Sequence, residues 1–112
     1  MTNASLSAKA TVRVLKLAQM IGAKEGDEKE IEFFFYADEL NDALDLMNYL
    51  KGLQYDVQCV PPVTTQDKWL ITGLTKKLKL KEQVVINWTE TMETIAYRYR
   101  SNFDGWGMLV GD

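Results

Sequence analysis

The side chains that most often run acid–base and nucleophilic chemistry are scarce in this 112-residue chain, which has no histidine and a single cysteine, Cys59. Without histidine, neither a Cys-His pair nor a Ser-His-Asp triad can be assembled within it. One cysteine and no histidine also fall short of the usual ligand set of a structural zinc site. Cys59, with Val57 and Val60 beside it, reads as a buried strand thiol, the common fate of a free cysteine. No adjacent cation or helix start marks it as activated. Carboxylates are plentiful, but no spacing singles out a set that could pass a proton in a cleft. No catalytic residue, cofactor site or metal site is therefore assigned, and enzyme activity is not expected.

The charges are segregated. Net charge is −3, yet residues 25–45 carry nine acids and residues 68–81 carry five lysines. Such asymmetry can steer a charged partner, although ordinary solvation accounts for it too. The candidate partner-binding residues are Glu28, Glu30, Asp38, Glu39, Asp42 and Asp45 as an acidic rim, with the aromatics Phe34 and Tyr36 beside it. The lysine run from Lys76 to Lys81, alternating with Leu78 and Leu80, reads as an extended segment anchored on one side.

Those residues need elements to position them. Residues 5–22 predict an amphipathic helix: Ala10, Val14, Leu17 and Ile21 recur at helical spacing, flanked by Lys9, Arg13 and Lys16. Ile31 to Ala37 predicts a strand with aromatics on both faces, hence a central one. Asp38 is placed to cap the next helix, whose stripe is Leu40, Ala43, Leu44, Met47 and Leu50, with Gly52 as its stop. Strands follow at 55–60, stopped by Pro61-Pro62, and at 68–74, where Gly73 suggests a bulge. A helix over 81–100 carries Val85, Trp88, Met92, Ile95, Ala96 and Tyr99 on one face, and Asp104-Gly105 turns the chain into a last strand over 105–110.

That order, β-α-β-β-α-β behind an extra helix, predicts an α+β ferredoxin-like sandwich: a four-stranded antiparallel sheet with both crossover helices on one face. The whole chain, 1–112, is read as one domain, with the helix over 5–22 and a core over about 30–112. The other sheet face would carry Phe34, Tyr36, Leu70 and Leu74, more apolar surface than a monomer usually leaves bare. The first helix or the partner of a homodimer would cover it. No apolar run is long enough to span a membrane and no secretory core opens the chain, so a cytoplasmic protein is expected. An RNA-recognition motif shares this element order, but Asp67-Lys68-Trp69-Leu70-Ile71-Thr72-Gly73-Leu74 does not carry its third-strand signature. The acidic balance also opposes direct nucleic-acid binding. A small-ligand or nucleic-acid-binding module on the same fold stays as the alternative to a protein-binding role.

Several of these stretches resemble the RraB-type family, the regulators of ribonuclease E activity. The likeness runs through Glu30-Ile31-Glu32-Phe33-Phe34-Phe35-Tyr36, the acidic helix start Asp38-Glu39, the strand Lys68-Trp69-Leu70-Ile71-Thr72, and the closing Phe103-Asp104-Gly105-Trp106. It covers about residues 10–110. The resemblance implies a ferredoxin-like fold and a non-catalytic role: binding ribonuclease E away from its catalytic half and restraining decay of some transcripts. An acidic surface would suit a basic, disordered segment of that nuclease. The chain ends directly after the last expected strand, without the acidic tail of better-known members, which puts the nuclease partner in question more than the fold.

Overall fold

A computed structural model describes residues 28–64 and 67–108. The helix expected over 5–22 and residues 109–110 of the expected last strand lie outside the described residues. Eight elements follow in order: β1 (Glu28–Lys29), β2 (Ile31–Ala37), α1 (Leu40–Gly52), β3 (Asp56–Val60), β4 (Trp69–Leu74), β5 (Leu78–Lys79), α2 (Glu82–Arg98) and β6 (Ser101–Met108). The fold class is α+β. The large sheet has the order β3-β4-β2-β6, antiparallel at every pairing. β1 and β5 form a separate antiparallel ribbon, pairing Glu28 with Lys79 and Lys29 with Leu78. The ribbon was not expected from sequence, because two-residue strands are too short to show a period.

β2 is central, as its aromatics on both faces predict. Ile31, Phe33, Phe35 and Ala37 are buried, while Glu32, Phe34 and Tyr36 alternate with them and are half-buried. The buried side meets both helices in one core with Leu46 and Leu50 of α1, Ile71 of β4, and Val85, Trp88, Met92 and Ile95 of α2. Trp88 sets its ring edge-on to Phe103 and Trp106, with centroids 5.8 and 6.5 Å away. Its indole N–H donates to the Tyr55 hydroxyl at 3.3 Å. Thr75 ties the end of β4 to the start of β2: its hydroxyl accepts from the Ile31 N–H at 3.0 Å, and its own N–H donates to the Ile31 carbonyl at 2.9 Å.

Several local expectations are corrected. The N-cap of α1 is Glu39, with no side-chain cap bond, rather than Asp38. The stripe of α1 is rotated: Ala43, Leu46 and Leu50 are buried, whereas Leu40 and Leu44 are 40% and 36% exposed. Both faces of that helix carry leucines, so packing against β3 and β4 chooses between them. Gly52 stays helical, and the left-handed residue past the end is Gln54, at φ 66°. The helix instead closes by N–H donation from Leu53 to Leu50 and from Gln54 to Lys51.

The last strand begins earlier than expected, at Ser101, after a left-handed Arg100 at φ 53°. Asp104-Gly105 is therefore not the turn into the strand but a bulge within it. Phe34 faces Gly105 and Phe35 faces Phe103, which leaves Asp104 as the extra residue. Gly105, at φ +126°, occupies backbone space that L side chains rarely enter. Gly73 marks no bulge, since its pairing with Phe33 and Val57 is in regular register. Glycine is required there by the close approach of β3: a Cβ would lie 1.7 Å from the Asp56 carbonyl oxygen.

Candidate functional site

The strand order divides the candidate residues between two ends of the sandwich. Glu28 and Glu30 flank the start of β2, beside β5, whereas Asp38 and Glu39 follow its end. Seven residues of strand, about 24 Å, separate the two groups. The rim imagined from sequence is thus two acidic regions. At the first, Glu28 sits across from Lys79, which lies in the chain among Lys76, Lys77 and Lys81. A lysine thus stands across the ribbon from the first of these two acids.

At the other end, Asp38, Glu39 and Asp45 are exposed and Asp42 is half-buried, all at the start of α1. Asp42 and Asp45 are three residues apart and share one side of the helix. Asp38 pairs with Lys68 at 3.5 Å, both side chains well exposed, so the pair adds little stability. Carboxylates at a helix start also oppose the positive end of the helix dipole, a favourable placement. One turn further on, the Arg98 guanidinium lies over the Tyr49 ring, 5.8 Å from its centroid, which joins α2 to α1 beside the acids. This end of the described structure is acidic and faces solvent.

Phe34 and Tyr36 are elsewhere again, on the sheet face turned away from both helices. The register sets three rows across that face: Asp56, Leu74, Glu32 and Gly107; then Gln58, Thr72, Phe34 and Gly105; then Val60, Leu70, Tyr36 and Asn102. No lysine or arginine occurs among these described positions. A shallow depression of about 380 Å³ lies on the first row, lined by Glu32, Asp56, Val57, Gln58, Thr72, Gly73 and Leu74. It is open to solvent, and no buried side-chain nitrogen or oxygen among the described residues lacks a hydrogen-bond partner. A site built to hold a small polar ligand would aim such a group inward.

Cys59 is half-buried at the edge of the core, on β3, and burial pushes its thiol pKa up. A thiol shifted that way is a poor nucleophile at neutral pH. Among the described residues there is no group of three or more Cys, Asp or Glu side chains arranged to hold a metal ion, and no helix long and apolar enough to cross a membrane.

Residues 8–108 match the family described as regulator of ribonuclease activity B, RraB. The chain belongs to the RraB family. The match takes in every described element, including β6 and its Asp104-Gly105 bulge. No curated protein matches the chain. Its family is described as regulators of ribonuclease activity. Sequence reasoning missed the split of the acidic rim, because spacing along the chain carries no information about which sheet end a residue reaches. It also missed the rows shared by Glu32, Asp56 and Leu74, which exist only through strand register.

Proposed function

We propose that this RraB-family protein is a non-catalytic, protein-binding regulator that engages ribonuclease E and restrains RNA decay. The observation that carries this reading is the cluster of exposed Asp38, Glu39 and Asp45 with half-buried Asp42 at the start of α1, in a chain whose family regulates ribonucleases. Two carboxylates in the first turns of α1 and two just before it attract a basic, extended segment over roughly a Debye length, about 8–10 Å at physiological salt. Glu28 and Glu30 contribute less, since they lie at the other end of β2 and Glu28 stands opposite Lys79. We further infer a ferredoxin-like sandwich; supporting it are the order β3-β4-β2-β6 and the two helices packed against the buried face. A cytoplasmic location accords with a partner that acts on transcripts.

The test is Asp42→Lys combined with Asp45→Lys, which spares the Asp38–Lys68 pair. Stopped-flow association with a basic segment from the non-catalytic half of ribonuclease E should slow, and its dependence on salt should flatten. Stability should fall by no more than about 1–2 kcal/mol, the loss expected when carboxylates near the positive end of a helix dipole are replaced by lysines. An unchanged association rate at low ionic strength would refute the acidic cluster as the docking surface.

A further inference from the structure

We propose that this chain pairs with a second copy of itself along β3 and the outer flank of α1, in a two-fold dimer that joins the two four-stranded sheets edge to edge. Five of the seven large apolar side chains exposed among the described residues, Leu40, Leu44, Leu53, Val60 and Val63, belong to α1, β3 or the short segments beside them. Among the described strands β3 has β4 as its one neighbour, and Asp56, Gln58 and Val60 along it are exposed. An edge strand beside exposed apolar side chains is a template for another strand.

Three features select a second copy as the occupant. The first is level. β2 and β3 both run antiparallel to β4, so α1 returns between them. α1 spans 13 residues and β3 spans five, about 20 Å and about 17 Å. Only Leu53 to Tyr55 join them, so the middle of α1, near Leu46, lies level with Gln58. A two-fold axis at Gln58 pairs all five residues of β3 and passes the middle of α1 as well. The second is spacing. α1 packs against both β3 and β4, which sets its axis about half a strand spacing inside β3. Strands about 4.8 Å apart then bring the two α1 axes to about 10 Å, a distance at which helices pack side by side.

The third is chemistry. Tyr49 turns towards α2, where its ring lies 5.5 Å from that of Tyr99 and beneath the Arg98 guanidinium. Leu40, Leu44, Met47 and Lys51 recur at i, i+4, i+7 and i+11 on the opposite flank, which faces out past β3. Across the axis Leu44 meets Met47 of the second copy. Lys51 reaches the acidic start of the copy's α1, beside Asp38 and Glu39, so the charges are complementary. In the sheet Asp56 faces Val60 of the copy, and no like charges stand opposed. The contact measures about 17 Å along β3 and about 20 Å through the helix and sheet layers. That is the low end for a specific interface, so the dimer is reversible. Asp42 and Asp45 lie on α1 away from this stripe and stay free, so the dimer does not depend on the partner proposed above.

Sedimentation equilibrium of the full chain in reductant, from micromolar to millimolar concentration, tests this directly. The mass should rise reversibly from one chain to two; one chain at every concentration would overturn the proposal. Leu44→Glu sets a carboxylate against Met47 of the second copy without entering the core. It should hold the chain monomeric with an unchanged circular-dichroism spectrum, and an undiminished dimer would overturn the α1 seam. Register is read by disulfide capture with Cys59→Ala in place. Gln58→Cys should crosslink to its own copy on mild oxidation, because the axis sets that position opposite itself. Val60→Cys should not, since its counterpart lies about 14 Å away along the strand. Equal capture of both, or none with Gln58→Cys where the dimer forms, would overturn the β3 pairing. A monomer whose β3 and α1 amide signals shift only on adding a ribonuclease E segment would assign this edge to that partner and also overturn the proposal. Asp42→Lys with Asp45→Lys should leave the dimer intact, so either reading can fail alone.

Discussion

Adding one methyl group at Gly73 should cost more than any other single-carbon change in the sheet. Its Cβ would sit 1.7 Å from the Asp56 carbonyl oxygen, 2.8 Å from the carbonyl carbon and 3.0 Å from the Val57 Cα. All three atoms are backbone, so no side chain can swing aside. The first distance is more than an ångström inside the closest approach that Cβ atoms make. Relief requires β3 to move away from β4, and among the described strands β3 is at the edge with β4 as its one neighbour. Overpacking of this kind costs about 1–3 kcal/mol, and each backbone hydrogen bond lost nearby adds about 0.5–1.5 kcal/mol. Gly73→Ala should therefore lose about 3 kcal/mol from a domain whose whole stability is about 5–15 kcal/mol. Gly52→Ala is the control: a Cβ there meets nothing within 4 Å, and alanine in a helix gains about 0.5–1 kcal/mol over glycine. Urea titrations of both variants, followed by tryptophan fluorescence, would measure the difference. A Gly73→Ala midpoint equal to wild type would show that β3 does not approach β4 this closely.

Met92 is fully buried between α2 and the sheet, while Leu44 is over a third exposed. Met92→Ala should cost about 2–5 kcal/mol and Leu44→Ala well under half of that; equal losses by thermal melting would return Leu44 to the core. Thr75→Val keeps the shape but removes the acceptor of the buried Ile31 N–H. The unpaired donor should cost about 1–3 kcal/mol, and hydrogen exchange at Ile31 should accelerate selectively; unaltered protection there would refute the link.

The sequence by itself determined the element types and their order. Three phenylalanines and a tyrosine in alternation make β2 a two-faced central strand. The stripe from Val85 to Tyr99 makes α2 an amphipathic helix, because these signals are local and repeat several times within one element. The absence of histidine likewise removed whole classes of chemistry before any coordinates were known. Tertiary structure decided what rests on single residues or on distance. Leucines on both sides of α1 offered two equivalent stripes, and only contact with β3 and β4 selected Leu46 over Leu44. Asp104-Gly105 carries the same local preference in a turn and in a bulge, so the pairing of Phe34 and Phe35 with β6 had to choose. Gly73 looked like a bulge because a glycine in a strand has several causes, and the approaching Asp56 carbonyl belongs to a strand over a dozen residues away. The acidic residues looked like one rim because they are near in sequence. A strand carries its two ends about 24 Å apart, so the same neighbours along the chain face different solvent at opposite ends of the fold.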